Sequence, residues 1–123
     1  MNITALITKQ YVTLDAYTGV SVAKKLLQQQ DAVVVLDHKK PIGILTAADL
    51  AMKPHQLVID CLLYRPTVNY SDSINTVLNL MRTTGNNVLP VNYQNSFFGI
   101  IKQSDILFHL HAYHEKQKLL CWR

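Results

Sequence analysis

The strongest constraint on this chain is an internal repeat. Thr13-Leu14 corresponds to Thr67-Val68, and each pair leads through a short polar turn into an apolar pattern of helical period. In the second copy Ile74, Val77, Leu78 and Met81 fall at i, i+3, i+4 and i+7, one face of a helix. In the first, Val20, Ala23 and Leu27 hold the matching places. Lys24 stands where the second copy has Leu78, so its stem is expected at the edge of that face with the ammonium in water. Each helix is followed by a β-rich run, Ala32 to Leu36 or Val88 to Val91, and then by about five polar residues. A second strand follows that contains a glycine, Ile42-Gly43-Ile44-Leu45 or Phe98-Gly99-Ile100-Ile101. A last helix is expected to open at Asp49-Leu50 or Asp105-Ile106.

The spacing between copies is 54 residues from Thr13 to Thr67 and 56 from Gly43 to Gly99, which two single-residue loop insertions explain. The expected architecture is α+β: two βαββα units packed by their sheets, related by a pseudo-two-fold axis. The units are residues 1–56 and residues 57–123, the second with a C-terminal helical tail. One unit of about 55 residues is marginal for an independent core, so the two are expected to form one shared module. The segment from His55 to Arg65 carries Leu57, Val58, Ile59, Leu62 and Leu63, and suits a helical turn feeding the second copy. Pro54 is expected to stop the helix that starts at Asp49. The last helix meets no breaker between Asp105 and Leu120.

Composition excludes some classes of protein. Apolar residues make up 49% and charged residues 16% of the 123, a globular balance. The longest apolar run, Ala32 to Leu36, is far too short to cross a bilayer. The N-terminal residues carry no signal-peptide pattern, so the cytoplasm is the expected compartment. Cys61 and Cys121 lie far apart, without metal-ligand spacing, and are expected as reduced thiols. The formal net charge of +4 suits an anionic small ligand or a weak nucleic-acid surface, but the twelve Lys and Arg are scattered with no basic block, so nucleic acid is not the expected partner.

This arrangement resembles the tandem cystathionine-β-synthase (CBS) domain pair, or Bateman module. Arg65-Pro66-Thr67-Val68 followed by Asp72-Ser73-Ile74 is similar to the family's opening strand and helix start, with Tyr11-Val12-Thr13-Leu14 a looser copy. Val88-Leu89-Pro90-Val91-Asn92 resembles a family strand that usually ends in Asp; the first copy keeps the acid in Leu36-Asp37. Gly43-Ile44-Leu45-Thr46-Ala47-Ala48-Asp49 matches the family signature Gly-apolar-apolar-Thr/Ser-x-x-Asp in full. The second copy reads Gly99-Ile100-Ile101-Lys102-Gln103-Ser104-Asp105, keeping the acid but placing a lysine at the hydroxyl position.

The resemblance implies a non-catalytic regulatory module that binds an adenosine-containing ligand between the repeats. AMP, ADP, ATP, S-adenosylmethionine and cyclic dinucleotides all fit that description. It also implies a homodimer and a regulated protein partner. By position, Thr46 and Asp49 would meet the ligand's phosphate and ribose. Asp105 and Lys102 would stand at the matching second site, and Thr13, Leu14, Thr67 and Val68 would wall the base pocket. The chemistry is sound on its own terms. A helix start offers free N–H groups to an anion, and an ionised Asp accepts from two neighbouring hydroxyls. Thr-x-x-Asp at a helix start also reads as a capping box, in which both side chains serve only the helix. Lys102 reads equally as a solvated residue, and the strand residues as ordinary strand residues.

Other constellations are thinner. His109, His111, His114 and Glu115 lie close in sequence, but without a complete ligand shell they suit a surface better than a metal. Phe97-Phe98 is expected to pack at the sheet, and Trp122 to dock on its own module, a second subunit or another domain. No nucleophile elbow, phosphate-binding glycine loop or His-Glu-x-x-His motif is present, so no enzyme is expected. Two rival readings remain, a structural homodimerisation module with degenerate sites and a weak nucleic-acid binder.

Overall fold

The computed structural model describes residues 1–52 and 56–120. Pro54, Cys121 and Trp122 therefore lie outside the described residues. In the first copy the chain runs β1 (Thr13–Asp15), α1 (Val20–Leu26), β2 (Val33–Asp37), β3 (Lys40–Leu45) and α2 (Ala47–Met52). The second runs β4 (Val68–Asn69), α3 (Ile74–Thr84), β5 (Val88–Tyr93), β6 (Ser96–Lys102) and α4 (Gln103–Leu120). The expected α+β order holds in both copies. Both last helices begin two residues earlier than the sequence suggested, directly after Thr46 and Lys102.

Each copy forms a three-stranded sheet, β1-β2-β3 or β4-β5-β6. The first pair is parallel and the second antiparallel in each. Successive strand residues point to opposite faces, and here both faces are buried. Val33, Val35 and Leu45 face the first-copy core, whereas Val34 and Ile44 face the other sheet. Leu89, Val91 and Ile101 face the second-copy core, whereas Val88 and Ile100 face the first sheet. The two sheets therefore pack on each other through Ala32, Val34, Ile44, Val88 and Ile100. Double burial is why the strands read as continuous apolar runs.

The hairpins are tighter than expected. β2 and β3 are joined by His38-Lys39 alone, β5 and β6 by Gln94-Asn95 alone, and all four residues have positive φ. Two positive-φ residues give a turn whose twist matches the flanking strands. A register shift follows at equivalent places, between Val35 and Leu36 and between Val91 and Asn92. The helices differ more. Ser73 caps α3 by accepting from the Thr76 N–H, and Gly85 closes it with φ 71°. α1 has no side-chain cap and is four residues shorter.

The segments that precede the copies are exchanged. Residues 4–6 form a short 3-10 turn whose neighbours Ile3 and Ile7 enter the core of the second copy. Ile3 donates to the Asp72 carbonyl and Ile74 to the Met1 carbonyl, both at 3.0 Å. Thr8 and Ile100 exchange two backbone hydrogen bonds, at 2.8 and 3.0 Å. Conversely the 3-10 turn Val58–Cys61 puts Val58 and Cys61 into the core of the first copy. There Val20 donates to the Gln56 carbonyl, Val58 to the Thr18 carbonyl and Ile59 to the Ala16 carbonyl. Cys61 is a buried free thiol. Burial first, then the nearby Asp60 and Asp49 carboxylates, push its pKa up and keep it protonated.

The exchange explains one glycine in chemical terms. A Cβ on Gly99 would lie 2.5 Å from the Thr8 carbonyl oxygen and 2.9 Å from Ile7 Cγ2, so the backbone itself would have to move. At Gly43 the nearest atoms are Leu62 methyls at 3.3 Å, which can shift. Gly99→Ala is therefore expected to cost about 1–3 kcal/mol, within the range for overpacking. Gly43→Ala should cost less. Urea unfolding midpoints of the two variants check the ranking.

Candidate functional site

A cavity of about 780 Å³ lies between the two copies. Its walls come in equivalent pairs: Thr46, Ala47 and Ala48 from one copy, Lys102, Gln103 and Ser104 from the other. Asp31-Ala32 and Asn87-Val88 form a second such pair. The cavity thus straddles the pseudo-two-fold axis, where the ends of β3 and β6 hand over to α2 and α4. Asp49, Leu107 and the turn from Thr84 to Asn86 also line it, as do Leu63, Tyr64 and Arg65. These three also line a smaller cavity of about 390 Å³, walled by Ile42, Ile44, Pro90 and Phe97 among others. The larger volume falls within the range of small-molecule sites.

Asp49, a charged residue, is buried at 5% exposure. Its Oδ2 accepts from the Thr46 backbone N–H at 2.9 Å and from Arg65 Nη2 at 2.9 Å. Arg65, its side chain 7% exposed, also donates from Nη1 to the Ile44 carbonyl at 2.6 Å. Its Nε is buried without a hydrogen-bond partner. Half of the capping-box reading is thus realised: the acid satisfies the helix start. Thr46 itself lines the cavity, and its part in the pairing comes from the backbone N–H. The arginine ties the start of the second copy to the last helix of the first, so Asp49 holds the fold together whatever else it does.

On the opposite wall Lys102 Nζ stands 3.7 Å from Asp31 Oδ2. This pair is loose: the Asp31 side chain is 82% exposed and that of Lys102 25%. Tyr64, 88% exposed, stands at the mouth of both cavities.

Of the residues singled out in the sequence, Thr46, Asp49 and Lys102 meet at the larger cavity and Thr67 lines the smaller one. Asp105, Thr13, Leu14 and Val68 line neither. Val68 is enclosed in the second-copy core, Leu14 packs against the first-copy core, and Thr13 is an exposed strand residue. Asp105 sits in the first turn of α4. Arg65 and Tyr64 were not foreseen as site residues. Nothing in the spacing pairs an arginine with an acid 16 residues before it. Among the described residues no three His, Cys, Asp or Glu side chains converge on a metal-sized site.

Removing one partner of a buried ion pair strands the other charge. Asp49→Ala is expected to cost about 3–5 kcal/mol of stability, and the double variant Asp49→Ala, Arg65→Leu much less than the single one. Denaturant titration of both variants measures the difference.

The comparisons with known proteins agree with this architecture. The family model for the CBS domain matches twice, over residues 3–55 and 61–112. Comparison with curated proteins gave no match. Among solved structures, a protein from Burkholderia ambifaria MC40-6, described as a signal-transduction protein with CBS domains, superposes with a TM-score of 0.82. It is 21% identical, over 91% of this chain and 95% of that one. A CBS domain pair solved with 5′-methylthioadenosine and S-adenosyl-L-methionine gives 0.79 at 17% identity, over 92% and 98% of the two chains. The cytosolic domain of a Mg²⁺ channel in complex with ATP gives 0.68 at 23%, over 86% of this chain and 47% of that one. With both copies matched and the paired-sheet fold shared, the chain belongs to the CBS domain family.

Proposed function

We propose that this chain is a regulatory module that binds an adenosine-containing ligand in the cleft between its two copies. The observation that carries the reading is the cavity on the pseudo-two-fold axis, where Thr46 and Asp49 of one copy face Lys102 of the other. Asn86, Asn87, Gln103 and Ser104 add amide and hydroxyl groups suited to a sugar and a base edge. The exposed Tyr64 ring gives a base a face to stack on. A similar pair has been solved with 5′-methylthioadenosine and S-adenosyl-L-methionine, and a similar channel domain with ATP, which supports the ligand class.

A ligand touching both walls would bias the relative orientation of the copies, provided it binds one orientation better than the other. A protein partner would read that shift. Chemistry on the ligand is not part of the reading, and the cytoplasm is its proposed setting. No described helix is long and apolar enough to cross a membrane.

A second reading, a homodimerisation module with a degenerate site, has its own support. Arg65 already occupies Asp49, the acid meant for a ribose. α4 also exposes Leu107, Phe108 and Tyr113, apolar side chains that a second subunit could cover.

Thermal unfolding against AMP, ADP, ATP, adenosine, methylthioadenosine and S-adenosylmethionine separates the two. A ligand at about 100 times its Kd stabilises the native state by about 2.7 kcal/mol, a shift of several degrees. Thr46→Val, which spares the internal pairing of Asp49, should reduce the shift. A folded dimer that no compound stabilises would favour the dimerisation reading.

A further inference from the structure

The charges around the larger cavity restrict which adenosine compound it can take, an inference that rests on reading that cavity as the ligand site. Its described charged lining residues are Asp31, Asp49, Arg65 and Lys102. They form two pairs of opposite sign, so the described lining has no net charge to offer a polyanion. The pairs are unequal. Arg65 is buried and fixed by Asp49 and by the Ile44 carbonyl. Lys102 has only a 3.7 Å contact with a carboxylate that stands almost wholly in water. Such a pair is weak and readily exchanged for another anion.

We propose that Lys102 is, among the described residues, the cation this cleft can release to a ligand, that Asp31 competes for it, and that the cleft therefore selects ligands with one anionic group. A nucleoside monophosphate fits. Lys102 leaves Asp31 and meets the phosphate as a point charge. Each further phosphate brings negative charge towards the Asp31 carboxylate that Lys102 has left, with no other described lining cation free to meet it. The lysine at the position where the first copy has Thr46 is then a specificity determinant, and Asp31 sets its strength from the opposite copy.

Calorimetric titration of the full chain with adenosine, AMP and ATP, without divalent metal and at fixed ionic strength, tests this. AMP should bind about tenfold more tightly than adenosine, a step of one charge-assisted hydrogen bond, and ATP no more tightly than AMP. In Lys102→Gln the ratio of AMP to adenosine affinity should fall towards one. In Asp31→Asn it should rise about two- to fivefold, the worth of an exposed ion pair. Thermal unfolding of the ligand-free variants checks that both fold. If adenosine binds but AMP binds no better, if ATP binds more tightly than AMP, or if Asp31→Asn leaves the ratio unchanged, the inference is overturned while the adenosine site stands. If none of the three binds, the adenosine reading fails and the inference with it.

Discussion

The exchange of leading segments is the contact on which the rest of this molecule depends. Ile3 and Ile7 complete the second copy's core, and Val58 and Cys61 complete the first. Neither copy closes its interior with its own preceding residues alone. The backbone pairing of Thr8 with Ile100 holds one arm against β6, and Gly99 is what lets the two backbones meet. On the other side the chain passes Gly43 and reaches Arg65, whose guanidinium clamps the Ile44 carbonyl and Asp49. A burial too small for one unit becomes sufficient when two units share it.

That interlock also makes the cleft. With the sheets face to face, the ends of β3 and β6 and the starts of α2 and α4 come together on the symmetry axis. The sequence then breaks the symmetry. Thr46 faces Lys102, and Arg65 has its counterpart in Tyr11, so one wall carries a buried, fixed ion pair and the other a loose one. A cleft with two unlike walls suits a ligand with unlike ends, such as a base and an anionic group.

Much of the fold was legible because the two copies carry the same pattern in the same order. Strands buried on both faces leave unbroken apolar runs, and these located β2 and β5 well. The hairpin turns were overestimated because His38-Lys39 and Gln94-Asn95 contain no glycine, although their backbones take the positive φ that glycine usually marks. The exchanged arms left a trace that composition hides. Ile3, Leu6 and Ile7 have the same spacing as Val58, Cys61 and Leu62, but only contact with the opposite copy gives that spacing a meaning. The signature singled out Thr46, Asp49 and Lys102, and all three line the larger cavity. Val68 and Leu14 were misplaced, since a strand pattern does not say which face a residue takes when both are buried. Arg65 is invisible for another reason: its partner is set by how the second copy's lead-in crosses the first.

The most direct test of the central claim, a ligand held between the copies, is residue-resolved NMR of the labelled protein titrated with AMP. The account predicts amide shift changes in three stretches at once: Thr46 to Asp49, Leu63 to Arg65, and Lys102 to Ser104. Changes confined to one copy, or found only on the outer faces of the helices, would contradict it.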